Sequence, residues 1–98
     1  MIIVENKNNI ISITGHSMYA DFGKDIVCSA VSSIVITTIN GIISINDKAI
    51  SYKQNSDGIV IEIKNNDYIT LKLITNMLEL LTKLSKDYPK NIQIKEGV

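Results

Sequence analysis

Residues 26–46, IVCSAVSSIVITTINGIISIN, run for 21 positions without a charged side chain. A run of this length is about as long as a membrane-spanning helix. Its many serine, threonine and asparagine side chains argue against that role, because a lipid-facing helix would bury them away from water. The stretch therefore predicts a core helix of a soluble domain.

This first helix is expected to start after an Asp25 N-cap and to end near Asn40 and Gly41, since glycine commonly closes a helix. Aliphatic residues at helical spacing predict one buried stripe, made of Val27, Val31, Ile34, Val35 and Ile39.

Strand-forming sequences flank this helix on both sides. The β-branched and alternating patterns predict five strands, at residues 2–4, 10–14, 49–52, 59–64 and 92–94. Turns are expected at residues 6–9 and around Asp57-Gly58, and a second helix should run from an Asp67 cap to about Lys86. The order β-β-α-β-β-α-β predicts one domain, residues 1–98, with a two-layer α+β fold: a largely antiparallel sheet packed with two helices.

The second helix has an unusually wide apolar face, which comprises Ile69, Leu73, Ile74, Met77, Leu78, Leu80, Leu81 and Leu84. Such a face indicates either a helix central to the core or a helix that also meets a second subunit. The pattern alone leaves both interpretations open.

Charge and composition exclude several classes of function. The chain has no arginine, and its ten lysines are balanced by ten acidic residues, which argues against direct nucleic-acid binding. One cysteine and one histidine cannot form an internal disulfide or a structural zinc site, so we expect no metal and no cofactor. The N-terminus does not read as a signal peptide, and we expect a cytoplasmic protein without membrane contact.

The residues capable of catalysis are concentrated between positions 15 and 28, which contain the sole histidine, His16, and the sole cysteine, Cys28. With Asp25 as the N-cap, Cys28 would lie in the first helical turn, where free N–H groups and the helix dipole favour a thiolate. An adjacent imidazole could take the thiol proton and later protonate a leaving amine. The same N–H groups could steady an oxyanion.

Each of these residues also has an ordinary structural interpretation. A lone cysteine is most often a small buried hydrophobe, and a lone loop histidine is most often a surface residue. The Asp25 carboxylate would cap the helix while opposing a nearby thiolate. Ser32 is one turn beyond Cys28 and could contact the site, although such a serine is usually incidental.

Two glycines, Gly15 and Gly23, bracket the loop before the first helix. They could act as hinges of a loop that substrate lifts, or they could be ordinary turn glycines.

The segment from Gly15-His16-Ser17 through Gly23 to Asp25-Ile26-Val27-Cys28-Ser29-Ala30-Val31-Ser32 resembles the signature of the ribosomal-processing cysteine protease family, Prp. That signature is G-H-[AS], a loop, then G-x-D-I-V-C-[AS]-[AG]-x-S. The resemblance extends over the chain in length and element order. It implies a cytoplasmic bacterial homodimer that removes the short N-terminal extension of a large-subunit ribosomal protein of the L-twenty-seven type, cutting after an aromatic residue.

The resemblance also implies roles for individual residues. His16 would be the general base and Cys28 the nucleophile of a dyad that works through a thioester. The supporting positions would be Asp25, Ser32, Gly15 and Gly23, of which the glycines shape the loop. Two other functions are considered beside this one: a non-catalytic dimeric, ribosome-associated peptide-binding module, and a redox-sensing thiol, which lacks a resolving cysteine.

Overall fold

The structure, a computed structural model, describes residues 1–15 and 25–96. Within them the elements follow the predicted order: β1 (Ile2–Lys7), β2 (Ile10–Thr14), α1 (Ile26–Ile45), β3 (Ile50–Asn55), β4 (Gly58–Ile63), α2 (Tyr68–Asp87) and β5 (Ile92–Glu96). The predicted α+β class is confirmed.

The strands form one five-stranded sheet in the order β3-β4-β2-β1-β5. All neighbouring pairs are antiparallel except β1 and β5, which run parallel. The sheet is therefore largely antiparallel, as predicted. β2 lies at its centre, so Gly15, which directly follows β2, lies at the middle of one end of the sheet.

Alternation along the strands divides the sheet into a buried and an exposed face. The buried face carries Ile2, Val4, Ile11, Ile13, Ile50, Ile59, Ile61, Ile63 and Ile92. These side chains share one core cluster with the buried residues of both helices, so the helices cover the same face. This is the expected two-layer arrangement.

The β1–β2 turn is tighter than predicted. It consists of two residues, Asn8 and Asn9, with φ of 53° and 63°, instead of the four residues 6–9. Two consecutive left-handed residues match the twist of a hairpin, and asparagine tolerates that conformation better than most residues. The two strands therefore stay paired up to Lys7 and Ile10.

α1 begins as predicted, with Asp25 as its N-cap, but the predicted end near Asn40 and Gly41 is wrong, because the helix continues to Ile45. The extra turn buries Ile42, which is 1% exposed. Burying an isoleucine side chain contributes about 2 kcal/mol, more than the cost of about 1 kcal/mol for a helical glycine. Ile34, predicted to be buried, is only partly so.

α1 is long and apolar enough to cross a membrane by length and composition alone. The core helix of a soluble protein passes the same test, so a single such helix is weak evidence. Five residues of α1 pack into the core beneath the sheet: Val27, Val31, Val35, Ile39 and Ile42.

α2 starts at its predicted cap, Asp67, whose carboxylate accepts a hydrogen bond from the Thr70 N–H at 2.8 Å. Only part of its wide apolar face is used by the core. Met77 and Leu81 are completely buried, whereas Ile69 is 51% and Leu80 40% exposed.

Candidate active site

Cys28 is the third residue of α1 and is only partly buried, at the border of the core. Its backbone is held by Asp25, which is 9% exposed. Asp25 Oδ1 accepts from the N–H groups of Val27 at 2.9 Å and of Cys28 at 3.0 Å. The predicted placement of Cys28 in the first turn, bound to an Asp25 cap, is what the structure shows.

The capping bonds change one expectation about the site. The Ser29 N–H donates to the Asp25 carbonyl at 3.1 Å, so the amides of three consecutive residues, Val27, Cys28 and Ser29, are all occupied by Asp25. An oxyanion donor must be free to point at the developing charge. In this conformation the amides of Val27 and Cys28, two of the first-turn donors that the sequence suggested, are not free to bind an oxyanion.

The structure describes only some of the other predicted site residues. Ser32 is exposed on α1, one turn after Cys28. His16 and Gly23 lie outside the described residues, so the structure describes neither the Cys28–His16 distance nor the second glycine of the loop. Gly15, which directly precedes His16, is described.

Gly15 sits at a backbone position that only glycine fits. Its φ is +89°, and a Cβ built there would overlap the carbonyl oxygen of Met1. Its N–H donates to the Asp57 carbonyl at 3.0 Å. Gly15 is exposed to solvent but its backbone contacts those of Met1 and Asp57, and these contacts fit a turn that requires glycine better than a free hinge.

The β3–β4 turn contacts the end of β2 next to Gly15, a contact that sequence reasoning missed. The sequence marked Asp57-Gly58 only as a turn, and no local signal connects it with Gly15. In the fold, Gly58 has φ +149°, and a Cβ there would overlap the Ile13 carbonyl oxygen. The turn therefore touches the end of β2 backbone to backbone.

Other candidate sites are weaker. Across residues 1–15 and 25–96 no group of three or more His, Cys, Asp or Glu side chains could hold a metal ion. One cleft of about 290 Å³ is lined by Ile42, Ile45, Asn46, Asp67, Tyr68, Ile69 and Thr70. Because each helical residue rises about 1.5 Å, this cleft lies about 25 Å along α1 from Cys28, so its lining residues cannot contact the bond that the thiol attacks.

Comparison with known proteins agrees with the signature around Cys28. The family model described as "Cysteine protease Prp" matches residues 1–93. A ribosomal processing cysteine protease Prp of Staphylococcus aureus is 28% identical over 92% of this chain and 88% of its own. One of Mycoplasma genitalium is 29% identical over 98% of this chain and 96% of its own.

Solved structures show the same fold. The S. aureus protease Prp with a covalently linked product peptide superposes with a TM-score of 0.90 at 21% identity, covering 99% of this chain and 100% of that one. The S. aureus enzyme with a substrate peptide gives 0.82 at 17% identity, over 98% and 97% of the two chains. From the family match over nearly the whole length, this chain belongs to the cysteine protease Prp family and is a cysteine protease.

Proposed function

We propose that this cysteine protease removes the short N-terminal extension of a large-subunit ribosomal protein of the L-twenty-seven type during ribosome maturation, cutting after an aromatic residue. The observation that carries the proposal is the position of Cys28. It is a partly exposed thiol in the first turn of α1, with its backbone held by a buried Asp25, in a chain that the family model matches from residue 1 to 93. The relatives named above as ribosomal processing proteases support the substrate class.

The proposed mechanism uses a dyad of Cys28 and His16. His16 takes the proton from the Cys28 thiol as the sulfur attacks the scissile carbonyl, and then donates that proton to the leaving amine. Water, deprotonated by His16, hydrolyses the thioester and releases the new carboxyl terminus together with the free thiol. No separate catalytic acid is needed in this scheme.

The other site residues have supporting roles in this proposal. Asp25 fixes the Cys28 backbone through its capping bond, which limits where the thiol can point. Ser32 lies one helical turn beyond the thiol, within reach of a bound peptide. Gly15 and Gly23 shape the segment between them that carries His16.

We also propose that the enzyme is a homodimer in the cytoplasm. Apolar side chains of both helices stay outside the monomer's core, and the largest exposures are those of Tyr68 at 77% and Ile45 at 60%. A second copy that covered these side chains would remove apolar area from water, at about 25 cal/mol per Å². The wide apolar face of α2 supports the same arrangement.

The test is mass spectrometry of a peptide that spans the N-terminal junction of the same organism's L-twenty-seven-type protein. It would be incubated with the wild type, Cys28→Ala and His16→Ala, with the exposed neighbour Ser29→Ala as a matched control. We expect one cut, after an aromatic residue, by the wild type and Ser29→Ala only. Cleavage by Cys28→Ala would contradict the nucleophile assignment, and binding without cleavage by the wild type would favour a peptide-binding module.

A further inference from the structure

We propose that Asn55 is a positioning residue for this reaction. Its side chain shapes the β3–β4 turn, and that turn holds the end of β2 at Gly15, directly before His16. This inference rests on the proposed Cys28–His16 dyad. Asn55 lies 39 positions after His16 in the sequence. It belongs to β3, which carries none of the signature residues.

The first step is the link between Asn55 and the turn. Asn55 Oδ1 accepts hydrogen bonds from the N–H groups of Asp57 at 2.8 Å and of Gly58 at 3.1 Å. A side-chain oxygen that accepts from an amide two residues on is a standard way of fixing a turn. Here one oxygen binds both amides, so the orientation of the Asp57 carbonyl depends on this side chain.

The second step is the contact between the turn and β2. The Asp57 carbonyl accepts from the Gly15 N–H at 3.0 Å, and Gly58 pairs with Thr14 in the sheet. A Cβ on Gly58 would lie 2.9 Å from the Thr14 Cα and would overlap the Ile13 carbonyl oxygen. With no side chain between the two backbones, a shift of the turn is passed directly to Gly15.

The third step is the position of Gly15 itself. On its other side Gly15 lies against the Met1 carbonyl, and its positive φ is fixed between the two contacts. Gly15 is bonded directly to His16, so the position of Gly15 sets the point from which the chain continues to His16. A misplacement of about 1 Å can cost a catalytic step about 100-fold.

The variants follow from this chain of contacts. Asn55→Ala removes both acceptor bonds, and we expect kcat to fall about fivefold or more while KM changes less than about twofold. Asn55→Asp keeps an oxygen at the same place and should restore most of kcat. The matched control is Asn46→Ala, because Asn46 Oδ1 accepts from the Lys48 N–H at 3.0 Å in another exposed turn, at the far end of α1.

The experiment combines peptide kinetics with amide hydrogen exchange followed by NMR on the full chain. We expect the Gly15 amide to exchange faster in Asn55→Ala than in the wild type, Asn55→Asp or Asn46→Ala. Unchanged exchange at Gly15, an unchanged kcat in Asn55→Ala, an equal loss of kcat in Asn46→Ala, or no rescue by Asn55→Asp would each overturn the inference.

Failure of this inference can be told apart from failure of the proposed function. If Cys28→Ala and His16→Ala are inactive while Asn55→Ala keeps the wild-type kcat, only the role of Asn55 is wrong. If His16→Ala cleaves like the wild type, or the wild type cuts no peptide, the dyad is wrong and the role of Asn55 is overturned with it.

Discussion

Replacing Asp25 by alanine should separate the structural and the catalytic consequences of a helix cap. Asp25→Ala removes the acceptor of two first-turn amides, at 2.9 and 3.0 Å, from a residue that is only 9% exposed. Loss of an N-cap acceptor costs about 0.5–2 kcal/mol. Because two bonds are lost at a buried position, we expect the upper end, about 2 kcal/mol, which lowers the Tm of a domain this size by about 10 °C.

The chain supplies a matched control in the cap of the second helix. Asp67 accepts from the Thr70 N–H at 2.8 Å and from the Thr70 hydroxyl at 3.1 Å, so Asp67→Ala also removes two bonds. It should destabilise the fold to a similar extent. Only Asp25 touches the amide of Cys28, so we expect kcat to fall about tenfold in Asp25→Ala and to stay near the wild-type value in Asp67→Ala.

Urea unfolding would give the two free energies, and peptide cleavage at a temperature where both variants are folded would give kcat. Asp25→Asn keeps an oxygen acceptor and should recover most of the stability. If both alanine variants lose the same fraction of kcat, Asp25 has no particular role in placing Cys28. If Asp25→Ala unfolds at the same urea concentration as the wild type, its cap does not stabilise the fold.

Three further predictions concern the glycines, the first hairpin and the exposed face of α2. Gly58→Ala should destabilise the protein by about 3 kcal/mol or more, because its Cβ would overlap the Ile13 backbone at a positive φ. Gly41→Ala should instead stabilise the protein by up to about 1 kcal/mol, because a Cβ at this position of α1 would meet open space. Thermal unfolding of the two variants measures both effects. A Gly58→Ala variant as stable as the wild type would refute the predicted overlap with Ile13. Asn9→Val should lower stability by about 1–2 kcal/mol while Asn9→Gly does not, because φ is 63° there; equal denaturation midpoints would contradict this. Ile69→Glu should convert a dimer to a monomer in sedimentation velocity with little loss of monomer stability, since Ile69 is 51% exposed; an unchanged sedimentation coefficient would exclude this face as the interface.

Much of the site was readable from the sequence because helix caps are local. Asp25 reaches Cys28 across three residues, so the spacing alone placed the thiol in the first turn with its amide bound to the cap. The same local pattern also suggested free oxyanion donors. For the Val27 and Cys28 amides that suggestion does not hold, because whether a first-turn amide is unpaired depends on the cap geometry, and here the Asp25 carboxylate accepts from both.

By itself the sequence determined the element order and both helix starts, since periodicity and capping are set by residues within a few positions of each other. Only the tertiary structure decided where α1 ends, because the burial of Ile42 against the core outweighs the local cost of Gly41. It also decided the parallel pairing of β1 with β5 and the contact of Gly15 with the Asp57 turn. These features depend on contacts between residues that are far apart in the chain. Such contacts stabilise the protein only once the sheet and helices have packed together.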